Sequence, residues 1–265
     1  MSIKNKNYKY LGLIKELALT NFKLKYQGSV LGYLWSLVKP LMLFVVLYFV
    51  FTRIFRVGGS IEHYPIYLLL GVVLWGFFSE LTAVSLGSIV QSGDLIRKVY
   101  FPRMVLVIST GVTSLITLLL NLIIVFIFMA FLKVIPSFSS LLFVAILFEL
   151  FVLTIGVSFF LSALFVKFRD VAHIWEVILA VLFYATPILY PLSLVPNKIA
   201  LVMLLNPAAQ IIQDARYLLV THQTATAWNS LALQYVWIPY VLPFVIFALG
   251  YRYFNKAAAK FAEEV

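Results

Sequence analysis

The chain has 265 residues, of which 63% are hydrophobic and only 11% are charged, against about 45–50% and about 25% in a typical soluble domain. So few charges cannot cover a water-soluble globule, and a mean hydropathy of +1.04 points to an all-α integral membrane protein. The absence of cysteine excludes disulfide scaffolds, thiol catalysis and thiolate metal sites, and His63, His173 and His222 lie too far apart in sequence for metal-ligand spacing. The net charge of +10 therefore becomes a question of where the basic residues sit relative to a bilayer.

Taken in chain order, residues 8–27 have helical composition, with Glu16, Thr20, Lys23 and Gln27 on one stripe and Leu11, Ile14, Ala18 and Phe22 opposite. Lys15 and Lys25 interrupt the apolar side, and long basic side chains of this kind snorkel to headgroups. The expectation is an amphipathic interfacial helix on the cytoplasmic surface, with Lys15, Phe22, Lys23, Lys25 and Tyr26 as its functional residues. A merely basic leader is the plainer alternative. The leader exceeds thirty residues, and no alanine stands between Ala18 and Ala83 to make an Ala-x-Ala cleavage site. The first apolar run is thus expected to be a true span.

A bilayer core of about 30 Å requires roughly 20 apolar residues per helix. Segments 33–55, 65–91, 104–132, 140–166, 171–190 and 231–251 meet or approach that length, which predicts six spans in a single transmembrane domain covering 1–265. One set of flanks carries fifteen Lys and Arg. The other carries five: Arg53, Arg56, Lys133, Lys198 and Arg216. The imbalance places both termini in the cytoplasm.

In the first span Phe44, Tyr48, Phe51 and Phe55 recur at helical spacing. Sugar rings stack on aromatic faces, so the stripe is a candidate glycan path, although ordinary helix packing gives the same pattern. The cytoplasmic loop 92–103 combines basic residues with Leu95, Ile96, Tyr100 and Phe101. Ser92 or Asp94 can cap a short helix there, and an apolar tip suits docking to a cytosolic partner. Between the fifth and sixth spans, 191–230 holds Pro191, Pro196, Asn206-Pro207 and two apolar pieces too short to cross. A re-entrant hairpin on the outer side is predicted, bordering a path, since irregular backbone at membrane depth survives only in protein or beside water. Glu80, Glu149 and Glu176 lie within spans and should face protein or water. Their roles are left open.

Several of these segments together resemble a known family, the permease subunits of ABC type-2 exporters for lipid-linked polysaccharides such as O-antigen, capsule and teichoic acid. The resemblance rests on Lys23-Leu-Lys25-Tyr26-Gln-Gly-Ser29-Val-Leu31-Gly32-Tyr33-Leu-Trp35-Ser-Leu-Val-Lys-Pro40, on Leu95-Ile-Arg97-Lys98-Val-Tyr100-Phe101-Pro102-Arg103, and on Phe168-Arg169-Asp170, Thr186-Pro187-Ile-Leu-Tyr190 and Asn206-Pro207. Asn21 and Lys25 depart mildly from the Asp and Arg common there. The resemblance implies a homodimer of six-span subunits in a bacterial inner membrane, joined to two ATP-binding subunits that hydrolyse ATP with Mg. It makes Asp94, Leu95, Ile96, Arg97, Lys98, Tyr100, Phe101 and Arg103 the ATPase-coupling loop, and Pro187, Tyr190, Pro191, Asn206 and Pro207 an outer gate. The chain lacks a Gly-x-x-x-x-Gly-Lys-[Ser/Thr] phosphate loop, so no cofactor or metal is expected on it, and it is not expected to be an enzyme. A related permease for a smaller lipid or drug is the first alternative. A membrane glycosyltransferase or acyltransferase needs a catalytic constellation that the scattered acids do not make, and an ion-coupled carrier is disfavoured by sparse intramembrane charge.

Overall fold

The structure, a computed structural model, describes residues 3–56 and 61–261, with side chains from residue 10 onward except that of Tyr26. Among these residues every regular element is helical. The α-helices are α1 (Ile3–Tyr26), α2 (Trp35–Phe49), α3 (Tyr64–Gly87), α4 (Gly93–Lys98), α5 (Met104–Phe131), α6 (Phe143–Lys167), α7 (Val171–Ala185), α8 (Asn197–Leu204), α9 (Pro207–Leu219), α10 (Ala227–Ser230) and α11 (Trp237–Ala258). Five helical stretches are long and apolar enough to cross a membrane: 32–54, 64–87, 104–131, 138–167 and 237–258.

The bundle is built around α3, whose apolar residues run on all sides and whose residues from Ile66 to Leu70 are almost completely buried. It packs on α5, α6, α9, α7 and α2. The most extensive helix pair is α6 with α11, and glycine makes it possible. A Cβ at Gly156 would meet the Phe247 backbone at 2.5 Å from Cα, and one at Gly250 would meet the Gly156 carbonyl. Small residues of this kind let membrane helices approach to backbone contact.

Three boundaries differ from the sequence reading. The predicted fifth span, 171–190, is a 15-residue helix ending at Ala185. Pro187 disfavours helix at the residue before it, and Thr186 is extended at φ −96°, ψ 135°. The predicted sixth span, 231–251, is displaced: α11 starts at Trp237 and continues through Arg252 and Lys256 to Ala258, since basic residues are good helix formers and can reach headgroups from a helix end. Ser92 precedes α4, but neither it nor Asp94 makes a side-chain cap.

On α1 the side facing the bundle is Tyr10, Leu13, Ile14, Leu17 and Ala18. Ala18 is buried, its carbonyl accepts from the Thr113 hydroxyl of α5 at 3.0 Å, and Phe22 stacks on Tyr33 at 5.0 Å. Glu16, Thr20, Lys23 and Gln27 face outward as expected, whereas Leu11 is exposed. It lies one residue around the wheel from the packed stripe. Lys15 and Lys23 are also exposed, and the Tyr26 side chain lies outside the described residues.

Candidate functional site

A large cavity, about 1030 Å³, lies between α2, α3, α5 and α7. One wall is a polar strip on α5, where Ser114, Thr117 and Asn121 recur at helical spacing. Asn121 donates from Nδ2 to the Thr117 carbonyl at 2.9 Å, which leaves its buried Oδ1 without a protein donor. Opposite stand Ser79 and Glu80 of α3, and the remaining surface includes Trp35, Trp75 and Phe183. Acceptors and hydroxyls along one side with indole and phenyl groups on the others make a surface suited to an amphiphilic, hydroxyl-rich ligand. Lys25 and Lys39 add positive charge. Lys25 Nζ is paired with Glu80 Oε1 at 2.5 Å, so the C-terminal end of α1 is tied directly to a cavity wall.

The aromatic stripe lies mostly elsewhere. Phe44 is buried, edge-on to Phe128 of α5 at 5.7 Å. Tyr48 stacks on Tyr64 of α3 at 6.2 Å, Phe51 is half-buried and Phe55 is exposed. Phe44 thus packs into the bundle core of the single chain. The cavity is lined instead by the neighbouring face of α2, through Trp35, Ser36, Lys39, Pro40 and Leu43.

The loop 92–103 also divides. Ile96 and Phe101 are buried at 8% and 5% exposure and Leu95 is half-buried, so these residues anchor α4 to the bundle and do not form a projecting tip. Val99 and Tyr100 project, with Tyr100 89% exposed. Asp94, Arg97 and Lys98 are exposed and Arg103 is half-buried. A cleft of about 280 Å³ bounded by Arg97, Lys98, Tyr100 and Arg103 lies beside them.

At the opposite end, the sequence analysis missed the organising residue. Arg216 on α9 is completely buried. It donates to the carbonyls of Tyr67 (3.0 Å), Pro187 (2.5 Å) and Ile188 (2.6 Å) and to Gln213 Oε1 (2.9 Å), with its guanidinium over the Tyr67 ring at 3.6 Å. Tyr64 donates to the Leu189 carbonyl at 2.9 Å. The non-helical segment after α7 is thus fastened to α3 and α9 through its backbone. Of the residues expected at an outer gate, Asn206 is tied to Thr186, the residue before Pro187. Asn206 donates to Thr186 at 3.3 Å and accepts from the Ala208 amide at 3.0 Å, capping α9. Pro187 and Pro207 are buried, Tyr190 and Pro191 half-buried. Of the acids, Glu80 faces the cavity, Glu149 joins a polar cluster with Gln210 of α9, and Glu176 is exposed on α7.

Residues 12–220 match the family described as ABC-2 type transporter. The chain belongs to that family. It is 31% identical over 99% of both chains to an O-antigen export system permease protein RfbA of Klebsiella pneumoniae, and 29% identical over 97% of both to one of Myxococcus xanthus. The matched region includes α1 from Gly12, the four cavity helices, α4 and the Arg216 clamp, and ends before α10 and α11. This is a transport subunit with several membrane-spanning helices.

Proposed function

We propose that the chain is the membrane-spanning permease of an ATP-driven exporter that moves a lipid-linked polysaccharide of the O-antigen type across the bacterial inner membrane. The observation that carries this reading is the large cavity, with its α5 polar strip and aromatic walls, in a chain alignable end to end with O-antigen export permeases. In this reading α7 is the fifth of six membrane-crossing elements, shortened because the pinned turn segment 186–190 completes the crossing. Helices α8 and α9 form a re-entrant hairpin on the outer side, about 12 and 20 Å long at 1.5 Å per residue. Both termini, α4 and the Lys25–Glu80 pair then lie on the cytoplasmic side. α1 lies along the surface there.

Two copies of the chain pair with two ATP-binding subunits, which carry the phosphate loop, ATP and Mg that this sequence lacks. Exposed Tyr100 and the basic cleft beside it meet those subunits. Closure of the nucleotide sites pushes on α4, whose buried Ile96 and Phe101 pass the displacement to α3 and α5, the walls of the cavity. The glycan is held there by many weak contacts. A sliding polymer requires such contacts, because a few charge-assisted hydrogen bonds would arrest each repeat.

The deciding experiment is deletion of the gene with complementation. Loss of surface polysaccharide, with a lipid-linked glycan accumulating on the cytoplasmic side and rescue by the intact chain, is expected. Unchanged surface glycan together with altered resistance to a small amphiphile would assign the cavity to a smaller lipid or drug.

A further inference from the structure

Helix α11 keeps one face turned away from the bundle along its whole length. Ile238, Val241, Val245 and Leu249 recur at spacings of three and four and are all exposed, as residues facing hydrocarbon must be. At 3.6 residues per turn, the same stripe runs on into Arg252, Lys256 and Lys260, again all exposed. The opposite face, with Pro243, Gly250 and Phe254, is buried. The outward stripe thus passes from apolar to cationic without turning toward the protein. Its far end is held in place. The Lys260 amide donates to the Ala257 carbonyl at 3.0 Å, and the next residue, Phe261, is buried edge-on to Phe254 at 5.3 Å.

Helix α6 adds charge at the same end. It runs parallel to α11, with Phe159 against Phe254 and Phe160 against Tyr253, each pair at 5.1 Å. Seven residues beyond Phe160 and Tyr253 stand Lys167 and Lys260, so the register brings two lysines to one level. Lys167 and Arg169 lie over the rings of Phe168 and Phe165, at 5.2 and 5.0 Å. Among the described residues, Lys167, Arg169, Arg252, Lys256 and Lys260 form no ion pair. The acids nearest to them in sequence are Asp170, which is exposed, and Glu263 and Glu264, which lie outside the described residues. The five cations outnumber all three.

Orientation during insertion requires basic residues on one side of the membrane but not on one helix face. The alignment therefore calls for a partner on that face. We propose that the cationic end of the α11 stripe, with Lys167 of α6 beside it, binds the phosphates of anionic phospholipid headgroups. Helical side chains lean toward the helix N-terminus, which for α11 is toward the bilayer. Lys256 and Lys260 accordingly reach back to the headgroups, and Tyr251 and Tyr253, 38% and 39% exposed, flank Arg252 at the depth where tyrosines gather. An acidic surface on a cytosolic protein is the competing partner. Lipid is favoured because the stripe is continuous with the hydrocarbon-facing one, where lipid already lies. That the leaflet is the cytoplasmic one rests on the orientation proposed above; the attraction itself does not. Bound headgroups would tie the α6–α11 seam to the membrane surface and make its seating sensitive to ionic strength.

The test uses the full chain in mixed micelles of phosphatidylglycerol and phosphatidylcholine with identical acyl chains, and reads retained lipid by native mass spectrometry. No cargo or ATP-binding subunit is present, so the outcome is separate from the export reading. Several-fold preferential retention of phosphatidylglycerol is expected, weakened by high salt. A basic residue near an anionic surface changes partitioning by about fivefold, so Arg252→Gln with Lys256→Gln and Lys260→Gln should abolish the preference. A control with the same charge loss at exposed sites elsewhere, Arg53→Gln with Lys133→Gln and Lys198→Gln, should keep it. Equal retention of the two lipids by the unmodified chain would overturn the proposal, and that comparison needs no variant to fold. Equal losses in the two triple variants would also overturn it, since net charge and not this face would then attract the lipid. Unchanged lipid retention in the α11 variant, together with lost co-purification of the ATP-binding subunit, would reassign the face to a protein partner.

Discussion

A guanidinium in an apolar interior is tolerated only when its donors are met, and Arg216 meets them almost entirely with carbonyl oxygens. The arrangement also depends on Gly71, where a Cβ would collide with Arg216 Nη2. Hydrogen bonds from a charged donor contribute about 1.5–3 kcal/mol each, and several act together here, so Arg216→Met should cost at least about 3 kcal/mol by leaving buried carbonyls unpaired. Arg216→Lys should fail nearly as badly, because an ammonium cannot reproduce the planar fork. Gly71→Ala should destabilise through the same contact. Thermal unfolding of the purified chain in detergent checks all three; wild-type behaviour of Arg216→Lys would show that charge alone suffices. In the sequence Arg216 reads simply as one of five basic residues on the less charged side. The sequence around α9 does not distinguish it from a solvated arginine, because three of its four acceptors are backbone carbonyls some 28 to 149 positions away. Asn206-Pro207 acts through its immediate neighbours instead. A side-chain cap followed by proline at the first helical position is a local device, and it starts α9.

Among the elements, α4 shows how a correct location can hide a divided role. Loop 92–103 was identified from basic flanks and apolar residues, but sequence cannot tell which apolar residues point outward, and a six-residue helix is too short for periodicity to settle it. The division gives a prediction with two arms. Tyr100→Ala should leave the unfolding temperature unchanged while weakening co-purification with the ATP-binding subunit, since Tyr100 is 89% exposed. Phe101→Ala should instead cost about 3–5 kcal/mol as a core truncation and lower the yield of the chain itself. Reversed effects would mean that the two aromatics exchange places on docking. The α6–α11 seam supplies a second case at this scale. Gly156→Ala places a methyl against Phe247 backbone atoms, which cannot rotate away, and overpacking of this kind costs about 1–3 kcal/mol. Gly12→Ala on α1, where nothing lies within 4 Å, should be neutral or stabilising by up to about 1 kcal/mol. Melting curves of the two variants separate a packing glycine from an incidental one. Composition made the long helices legible throughout, whereas the end of α7 at Ala185 is set by the proline two residues on.

For the molecule as a whole, the proposed function requires the cavity to open and close as the surface elements move, and the Lys25–Glu80 pair joins the two. Their side chains are 30% and 34% exposed, a setting in which an ion pair contributes only about 0–1 kcal/mol. Such a bond is too weak to staple the fold and weak enough to break in each transport cycle. It runs from the end of α1, otherwise fixed by Ala18 against Thr113 of α5, to the α3 wall of the cavity, next to the face that bears Ser79 and Trp75. If it latches the cavity, Glu80→Lys should repel Lys25, favour the open arrangement and raise ATP hydrolysis by the complex while export falls. Lys25→Glu should do the same by acid–acid repulsion. The exchanged double variant, Lys25→Glu with Glu80→Lys, restores the attraction with the charges reversed, and should recover a substantial part of export. The unfolding temperature should move by no more than a degree or two in all three. Because the chain has no cysteine, a single Cys at Ser114 reports on the cavity directly: its labelling by a small aqueous thiol reagent should be faster in either single variant than in the exchanged double. Two single variants that export normally, or a double no better than either, would remove the pair from the cycle. Faster labelling without any change in export would keep the latch but place the controlling step of transport elsewhere.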